Sequence, residues 1–180
     1  VIQTLAFNEK DELATGGDDG RIRIWNSDGT QRFSFQGHPS TVCSVSWRPS
    51  GNQLVSGSWN SSVCIWDTSG NKIAAHEGSS PAAWNPTKDL IAWASGSKVL
   101  LAETGSLPRE LTSYGSQVVR LAWDPSGAKL ASADLSGEIR IWDRVGKSES
   151  SMKADSMVMA AAWHPNQPLL AIGCTANGNI

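Results

Sequence analysis

The sequence predicts an all-β, radially repeated fold, and three observations carry that expectation. An apolar strand ending in an aromatic residue recurs five times: Leu5-Ala6-Phe7-Asn8, Val45-Ser46-Trp47-Arg48, Ala82-Ala83-Trp84-Asn85, Leu121-Ala122-Trp123-Asp124 and Ala161-Ala162-Trp163-His164. The aromatic positions 7, 47, 84, 123 and 163 lie 40, 37, 39 and 40 residues apart. A leucine-led strand follows each one, at Leu13-Ala14-Thr15, Leu54-Val55-Ser56, Leu90-Ile91-Ala92, Leu130-Ala131-Ser132 and Leu169-Leu170-Ala171. In three repeats a third strand closes on tryptophan, at Ile22 to Trp25, Val63 to Trp66 and Ile139 to Trp142. A period near 40 written in short strands describes stacked repeats rather than one ordinary core.

Each repeat reads as strand a, turn, strand b, tight turn, strand c, loop, strand d. In the second repeat, strand a spans 42–47, strand b 53–57 and strand c 62–66, with Trp59-Asn60-Ser61 in the b–c turn. The a–b turns follow turn chemistry: proline presets φ and glycine accepts positive φ. Arg48-Pro49-Ser50-Gly51 and Asp124-Pro125-Ser126-Gly127 repeat this turn, with Asn85-Pro86 and His164-Pro165 as relatives. Strand d is polar and outermost, expected at 31–36, 71–75 and 108–111. Polarity there discourages edge-to-edge pairing.

The repeats fall at about 1–36, 37–75, 76–112, 113–152 and 153–180. No Pro-rich or Ser-rich linker separates them, so they read as one domain. The third lacks a closing tryptophan and has Leu101 in its place. The fifth stops at Ile180, where its strand c should begin. The chain opens on Val1 with no initiator methionine and no charged-then-apolar leader, which reads as part of something longer.

Composition excludes several classes. The net charge is −2, from 15 basic and 17 acidic residues. They are scattered, with no Lys/Arg stripe of the kind a nucleic-acid binder shows. No window approaches the roughly 20 apolar residues of a membrane helix. The three cysteines, Cys43, Cys64 and Cys174, are odd in number and widely spaced. They read as small buried hydrophobes in a reducing compartment, which points to a cytoplasmic location with the nucleus open.

The dipeptides Trp66-Asp67 and Trp142-Asp143 follow strand c, and Gly37-His38 stands nine residues before Trp47. With the Pro-Ser-Gly turns, the chain resembles the WD-repeat (WD40) family along its whole length. The resemblance implies a β-propeller of four-stranded antiparallel blades, with about four and a half blades present of a ring of seven. The ring would be completed by further repeats of the same chain or by another chain. It also implies a hydrogen-bonded tetrad of Asp, His, Ser/Thr and Trp in each blade. In register these are Thr15 with Asp19, Ser56 with Asn60, and Ser132 with Ser136. The second repeat alone has the histidine, so its network is expected to be His38, Ser56, Asn60 and Trp66. Tyr114 takes the histidine position of the fourth repeat and Ala154 that of the fifth. No repeat carries the whole tetrad.

No catalytic, metal or cofactor residue is expected. Ser, His and Asp recur once per repeat at positions explained by strand and turn bonding, rather than in one nucleophile elbow. The histidines lack ligand spacing. Gly16-Gly17-Asp18-Asp19-Gly20 is neither a phosphate loop nor a calcium loop; it reads as a β-turn.

Of nine tryptophans, seven recur with the repeat and Trp93 lies on a strand b. These read as packing residues. Trp59 differs, because it falls in a b–c turn where its counterparts are Asp18 and Leu135. It reads either as an interface anchor or as a side chain folded onto a neighbouring blade.

Propellers resembling this one grip peptides or partner domains on a top face built from the d–a and b–c loops. Carried over, the top-face candidates are Trp59, Asp18 and Leu135 in the turns, with Thr41, Gln117 and Met157 at the starts of strand a. The expected function is a non-catalytic interaction module with a protein or peptide partner, no nucleic acid and no membrane insertion. The alternative is a sensor propeller attached to a catalytic domain elsewhere. The adaptor-binding Trp-Asp-x-Arg motif of ubiquitin-ligase receptors is absent, since Trp66-Asp67 continues Thr68-Ser69 and Trp142-Asp143 continues Arg144-Val145.

Overall fold

Strand follows strand along the described residues. The computed structural model describes residues 1–59 and 62–175. Asn60 of the expected network lies outside the described residues. The chain resolves into two compact units, Val1–Trp84 and Asn85–Ile180.

The first unit holds two complete blades and one further strand. Strands β1 (Ile2–Phe7), β2 (Leu13–Gly17), β3 (Arg21–Trp25) and β4 (Gln31–Gln36) form one antiparallel meander in chain order. Strands β5 (Val42–Trp47), β6 (Gln53–Ser58), β7 (Ser62–Asp67) and β8 (Lys72–Glu77) form the next. Strand β9 (Ser79–Trp84) lies beside β5 and β6. In the second unit, β10 (Leu90–Ser95), β11 (Lys98–Glu103) and β12 (Arg109–Ser113) run as a meander. Strands β13 (Val118–Trp123), β14 (Lys129–Asp134), β15 (Glu138–Asp143) and β16 (Ser148–Lys153) make a full blade. A two-stranded sheet of β17 (Val158–Trp163) and β18 (Leu170–Cys174) completes the described residues. These antiparallel meanders are the blades of a β-propeller.

Two outer strands begin later than the sequence suggested, for local reasons. Strand β8 starts at Lys72 because Asn71 closes the c–d turn: Asp67 N–H donates to the Asn71 carbonyl at 3.0 Å, and Asn71 N–H to Asp67 Oδ1 at 2.9 Å. Strand β12 starts at Arg109 because Pro108 has no N–H to give a ladder.

The core lies between sheets, which is where the recurring apolar positions point. In the first unit Ile22, Ile24, Val42, Leu54 and Trp66 are buried together, with Phe35 packed against Trp66 at 5.2 Å between ring centroids. In the second, Leu101, Val118, Leu130 and Trp142 do the same, so Leu101 fills the place of a closing tryptophan. Trp93 is wholly buried. Trp25, Trp123 and Trp163 are only half-buried, so they pack less completely than their repeat position suggests.

Neighbouring inner strands do not pair as a ladder, and side chains supply the bonds instead. Val45 N–H donates to Thr4 Oγ1 at 3.2 Å, and Ala82 and Trp84 N–H donate to Ser44 and Ser46 Oγ at 3.0 Å each. The indole N–H of Trp47 donates to the Ala6 carbonyl at 3.0 Å, and that of Trp163 to the Ala122 carbonyl at 2.9 Å. These bonds satisfy polar groups that burial would otherwise strand. Trp84 sits in the same repeat position, buried, but its Nε1 has no hydrogen-bond partner among the described residues.

Candidate functional site

Three constellations emerge from the residues singled out above. The first is the buried network of the second blade. His38 is positioned from outside its own blade: the Gly20 carbonyl accepts both Gly37 N–H and His38 N–H at 3.0 Å. Gly20 has φ +72, and an added Cβ would lie 2.1 Å from the His38 carbonyl oxygen, so the turn needs glycine. His38 Nε2 then meets Ser56 Oγ at 2.7 Å, and Trp66 Nε1 donates to the same oxygen at 2.7 Å. His38 Nδ1 meets Ser62 Oγ at 3.0 Å. Among the described residues the Ser62 hydroxyl is thus the partner of His38 Nδ1, and Asn60, expected in this network, lies outside them.

A histidine against a serine hydroxyl has the outline of a base and nucleophile. Here Ser56 is 0% and His38 1% exposed, and a tryptophan N–H already uses the Ser56 oxygen. No substrate reaches that pair, so its work is structural. Burial, aided by the positive charge of Lys72, pushes the His38 pKa down to about 4, which keeps the ring neutral at pH 7.

The fourth blade rebuilds the network with different chemistry. The Tyr114 hydroxyl bonds to Ser132 Oγ, and Trp142 Nε1 donates to Ser132 Oγ at 2.6 Å. The Arg140 guanidinium lies 4.3 Å from the Tyr114 ring centroid, a cation–π contact. Burial pushes the Tyr114 pKa up to about 12. Ser136, expected beside Ser132, instead donates to Asp134 Oδ1 at 2.8 Å. In the first blade Trp25 Nε1 donates to Thr15 Oγ1 at 3.0 Å, while Asp19 turns outward to Arg23. The Arg23 bond is the main reason the Asp19 carboxyl is held down to about 2.

The second constellation is the end of the first unit that carries its b–c turns. Trp59 is 75% exposed, so it does not fold onto a blade. Its backbone N–H reaches the Cys43 thiol, which also donates to the Thr41 carbonyl at 3.5 Å. Asp18, exposed, lies close enough for its charge to act on the same thiol, and burial is what chiefly raises the Cys43 pKa. Gln3 donates to Asp18 Oδ1 at 2.8 Å, and this bond leads the causes that lower the Asp18 pKa. The backbones of Trp59 and Thr41 and the charge of Asp18 thus all act on Cys43.

The third constellation is the matching end of the second unit. Leu135, 40% exposed, donates its N–H to the Gln117 carbonyl at 2.9 Å, and the Met157 carbonyl accepts Thr175 N–H at 2.9 Å. Gln117 is exposed and Met157 half-buried.

Sequence reading missed the residues that aim these ends. Four inner strands have a register irregularity near the same end, between Ile2 and Thr4, Val42 and Ser44, Val118 and Arg120, and Val158 and Ala160. Gln3, Cys43, Val119 and Met159 stand at these irregularities. Bulges re-aim side chains at such rims. The signal was present as a break in strict two-residue alternation at the start of strand a. The three cysteines are free thiols, with Cys64 buried and Cys174 exposed. Among the described residues no group of three or more His, Cys, Asp or Glu side chains is placed to hold a metal ion. No helix among them is long and apolar enough to cross a membrane.

Comparison with known proteins agrees with this architecture. The family model "WD domain, G-beta repeat" matches residues 2–26 and 29–67, and "Anaphase-promoting complex subunit 4 WD40 domain" matches 82–149. The Retinoblastoma-binding protein 5 homolog of Drosophila melanogaster is 31% identical over 151 residues, covering 78% of this chain and 31% of that protein. Pre-mRNA-processing factor 17 of Saccharomyces cerevisiae is 29% identical over 144 residues, covering 73% of this chain and 32% of that protein. A shorter match, 45% identical over 60 residues, is to a probable cytosolic iron-sulfur protein assembly protein, Ciao1, of Culex quinquefasciatus, covering 31% of this chain and 18% of that protein. The chain thus spans about a third or less of these relatives' length. Their names join pre-mRNA processing to a cytosolic assembly protein, so the expected cytoplasmic location is not supported by them. The crystal structure of the Cps50 (Swd1) β-propeller domain of Myceliophteria thermophila superposes with a TM-score of 0.83 at 21% identity, covering 96% of this chain and 62% of that one. With repeat period, blade topology and family models in agreement, this chain belongs to the WD-repeat (WD40) family of β-propellers.

Proposed function

We propose that this domain is a non-catalytic protein-interaction module that recognises its partner through the b–c turns and strand-a starts of its blades. The observation that carries the reading is Trp59. A tryptophan 75% exposed in a turn presents apolar area, and Asp18 and Thr41, which also act on Cys43, offer polar groups for a hydrogen-bonding rim. Such residues anchor protein interfaces. Rigid strands holding variable loops suit recognition. In the second unit Leu135, Gln117 and Met157 supply a comparable mixture of apolar and polar groups.

The same reading includes completion of the ring. Ile2, Leu5 and Phe7 on β1 are 58%, 62% and 67% exposed, and Met159 and Leu169 in the last sheet are 47% and 57% exposed. Apolar residues at blade-packing positions favour cover by further repeats of the same protein, or by another chain, in a ring of about seven.

The test compares the full-length protein with Trp59→Ala and Asp18→Arg, and with Ser150→Arg on the exposed strand β16 as control. The interaction reading expects partners recovered with the wild type to be lost from the first two variants and retained by the third. Equal recovery by all three would refute it.

A further inference from the structure

One cavity of the second unit lies at the end of its strands opposite Leu135. It is an open groove of about 690 Å3, within the size range of ligand and peptide sites. Its lining comes from the a–b turn before β10, the β11–β12 connection and the β15–β16 turn. Leu90 and buried Leu101 form an apolar floor, while Leu107 and Val145, 93% and 60% exposed, form apolar lips.

The two lips are tied together. Arg109 Nη2 donates to the Arg144 carbonyl at 3.5 Å, and Gly146, with φ +81, admits Leu111 so closely that an added Cβ would lie 2.3 Å from Leu111 Cδ2.

The groove's charge decides what it can hold. Lys88, Arg109 and Arg144 line it against Asp89 and Glu103. Among the described residues none of those three cations is in an ion pair. Asp89 is engaged, accepting the Thr104 hydroxyl at 2.7 Å. Guanidinium groups outside ion pairs are strong carboxylate receptors, and the two carboxylates among them favour a ligand whose acidic groups are spaced apart over a continuous phosphate chain. Among the described residues no aromatic side chain lines the groove to stack a base.

We infer that this groove docks an extended segment of a partner protein in which acidic residues alternate with aliphatic ones. A carboxylate meets Arg109 and Arg144, and the aliphatic side chains lie on Leu107, Val145 and the Leu90–Leu101 floor. This surface is separate from the end that carries Leu135 and goes beyond the interaction surface proposed above, so either can fail alone.

The experiment uses the full-length protein and fluorescence anisotropy with three probes. They are a labelled eight-residue peptide alternating Asp or Glu with Leu or Val, its counterpart with Lys in place of the acids, and an oligouridine. The acidic peptide should bind saturably and weaken by about tenfold or more with Arg144→Glu, with salt weakening it further. Ser150→Ala, on the exposed outer strand β16, should leave this binding unchanged. The inference is overturned by equal binding of the Lys peptide, by preference for oligouridine, by an unaltered affinity in Arg144→Glu, or by no saturable binding up to about 1 mM.

Discussion

Tyr114 joins Ser132 hydroxyl to hydroxyl in the fourth blade, in the place where the second blade joins His38 to Ser56. In both blades a strand-c tryptophan donates its indole N–H to that same serine, Trp66 at 2.7 Å and Trp142 at 2.6 Å. What the fold retains is a buried hydroxyl that accepts the indole N–H and bonds to a polar ring from the d–a connection, and either an imidazole or a phenol meets that requirement. Both tie the inner loop of a blade to its strands.

Removing the shared acceptor should therefore cost more than one bond. Ser56→Ala leaves the Trp66 N–H and the His38 ring without their common partner in a fully buried site. Unsatisfied buried groups cost about 1–3 kcal/mol. Chemical denaturation of the full-length protein should show a loss in that range. A loss below about 0.5 kcal/mol, the size of an ordinary surface change, would show that the network adds nothing.

The same histidine predicts a pH dependence. With the folded pKa pushed down to about 4 from 6.5, the unfolded chain binds more protons between those values. Stability from this group is thus full above pH 6.5 and is lost as pH falls toward 4. At 1.36 kcal/mol per pH unit the loss is on the order of 3 kcal/mol. His76, also lowered by burial, acts in the same direction. Denaturation midpoints of wild type and His38→Gln should diverge less at pH 4.5 than at pH 7.5. A constant difference across this range would remove His38 as the cause.

The indole of Trp47 and the indole of Trp84 make opposite predictions. Trp47 Nε1 donates to the Ala6 carbonyl at 3.0 Å, whereas Trp84 Nε1 is buried with no hydrogen-bond partner among the described residues. Phenylalanine in either place removes the N–H along with part of the ring area. Trp47→Phe should lose about 1 kcal/mol more than Trp84→Phe, the net size of a hydrogen bond. Equal losses in thermal or chemical unfolding would show that the Trp47 bond is not worth keeping.

Much of this was legible from residue spacing. The recurring aromatic, the Pro-Ser-Gly turns and the leucine-led second strand placed nearly every strand, because inter-sheet burial demands apolar side chains at fixed intervals. Local exceptions such as Asn71 and Pro108 came from turn bonding and a missing N–H, which periodicity does not register. The site was less legible. The recurring Ser and Trp of the network stand at positions set by the repeat, but Ser62 does not, since its role depends on where the start of β7 meets His38. The bulges at Gln3 and Cys43 escaped for a similar reason: one extra residue in a ladder barely alters composition while re-aiming a side chain. The exposure of Trp59 could not be read from identity alone, because a tryptophan in a turn fits packing as well as display.

The most direct test of the interaction reading is Trp59→Ala in the full-length protein, measured for stability and for partner affinity. A side chain 75% exposed contributes little to packing, so the denaturation midpoint should stay within about 0.5 kcal/mol of wild type. Affinity for the partner recovered with the wild-type protein should fall by about 2 kcal/mol or more, as for an interface anchor. Unchanged affinity together with a stability loss of about 3 kcal/mol, the usual cost of truncating a core aromatic, would contradict the account.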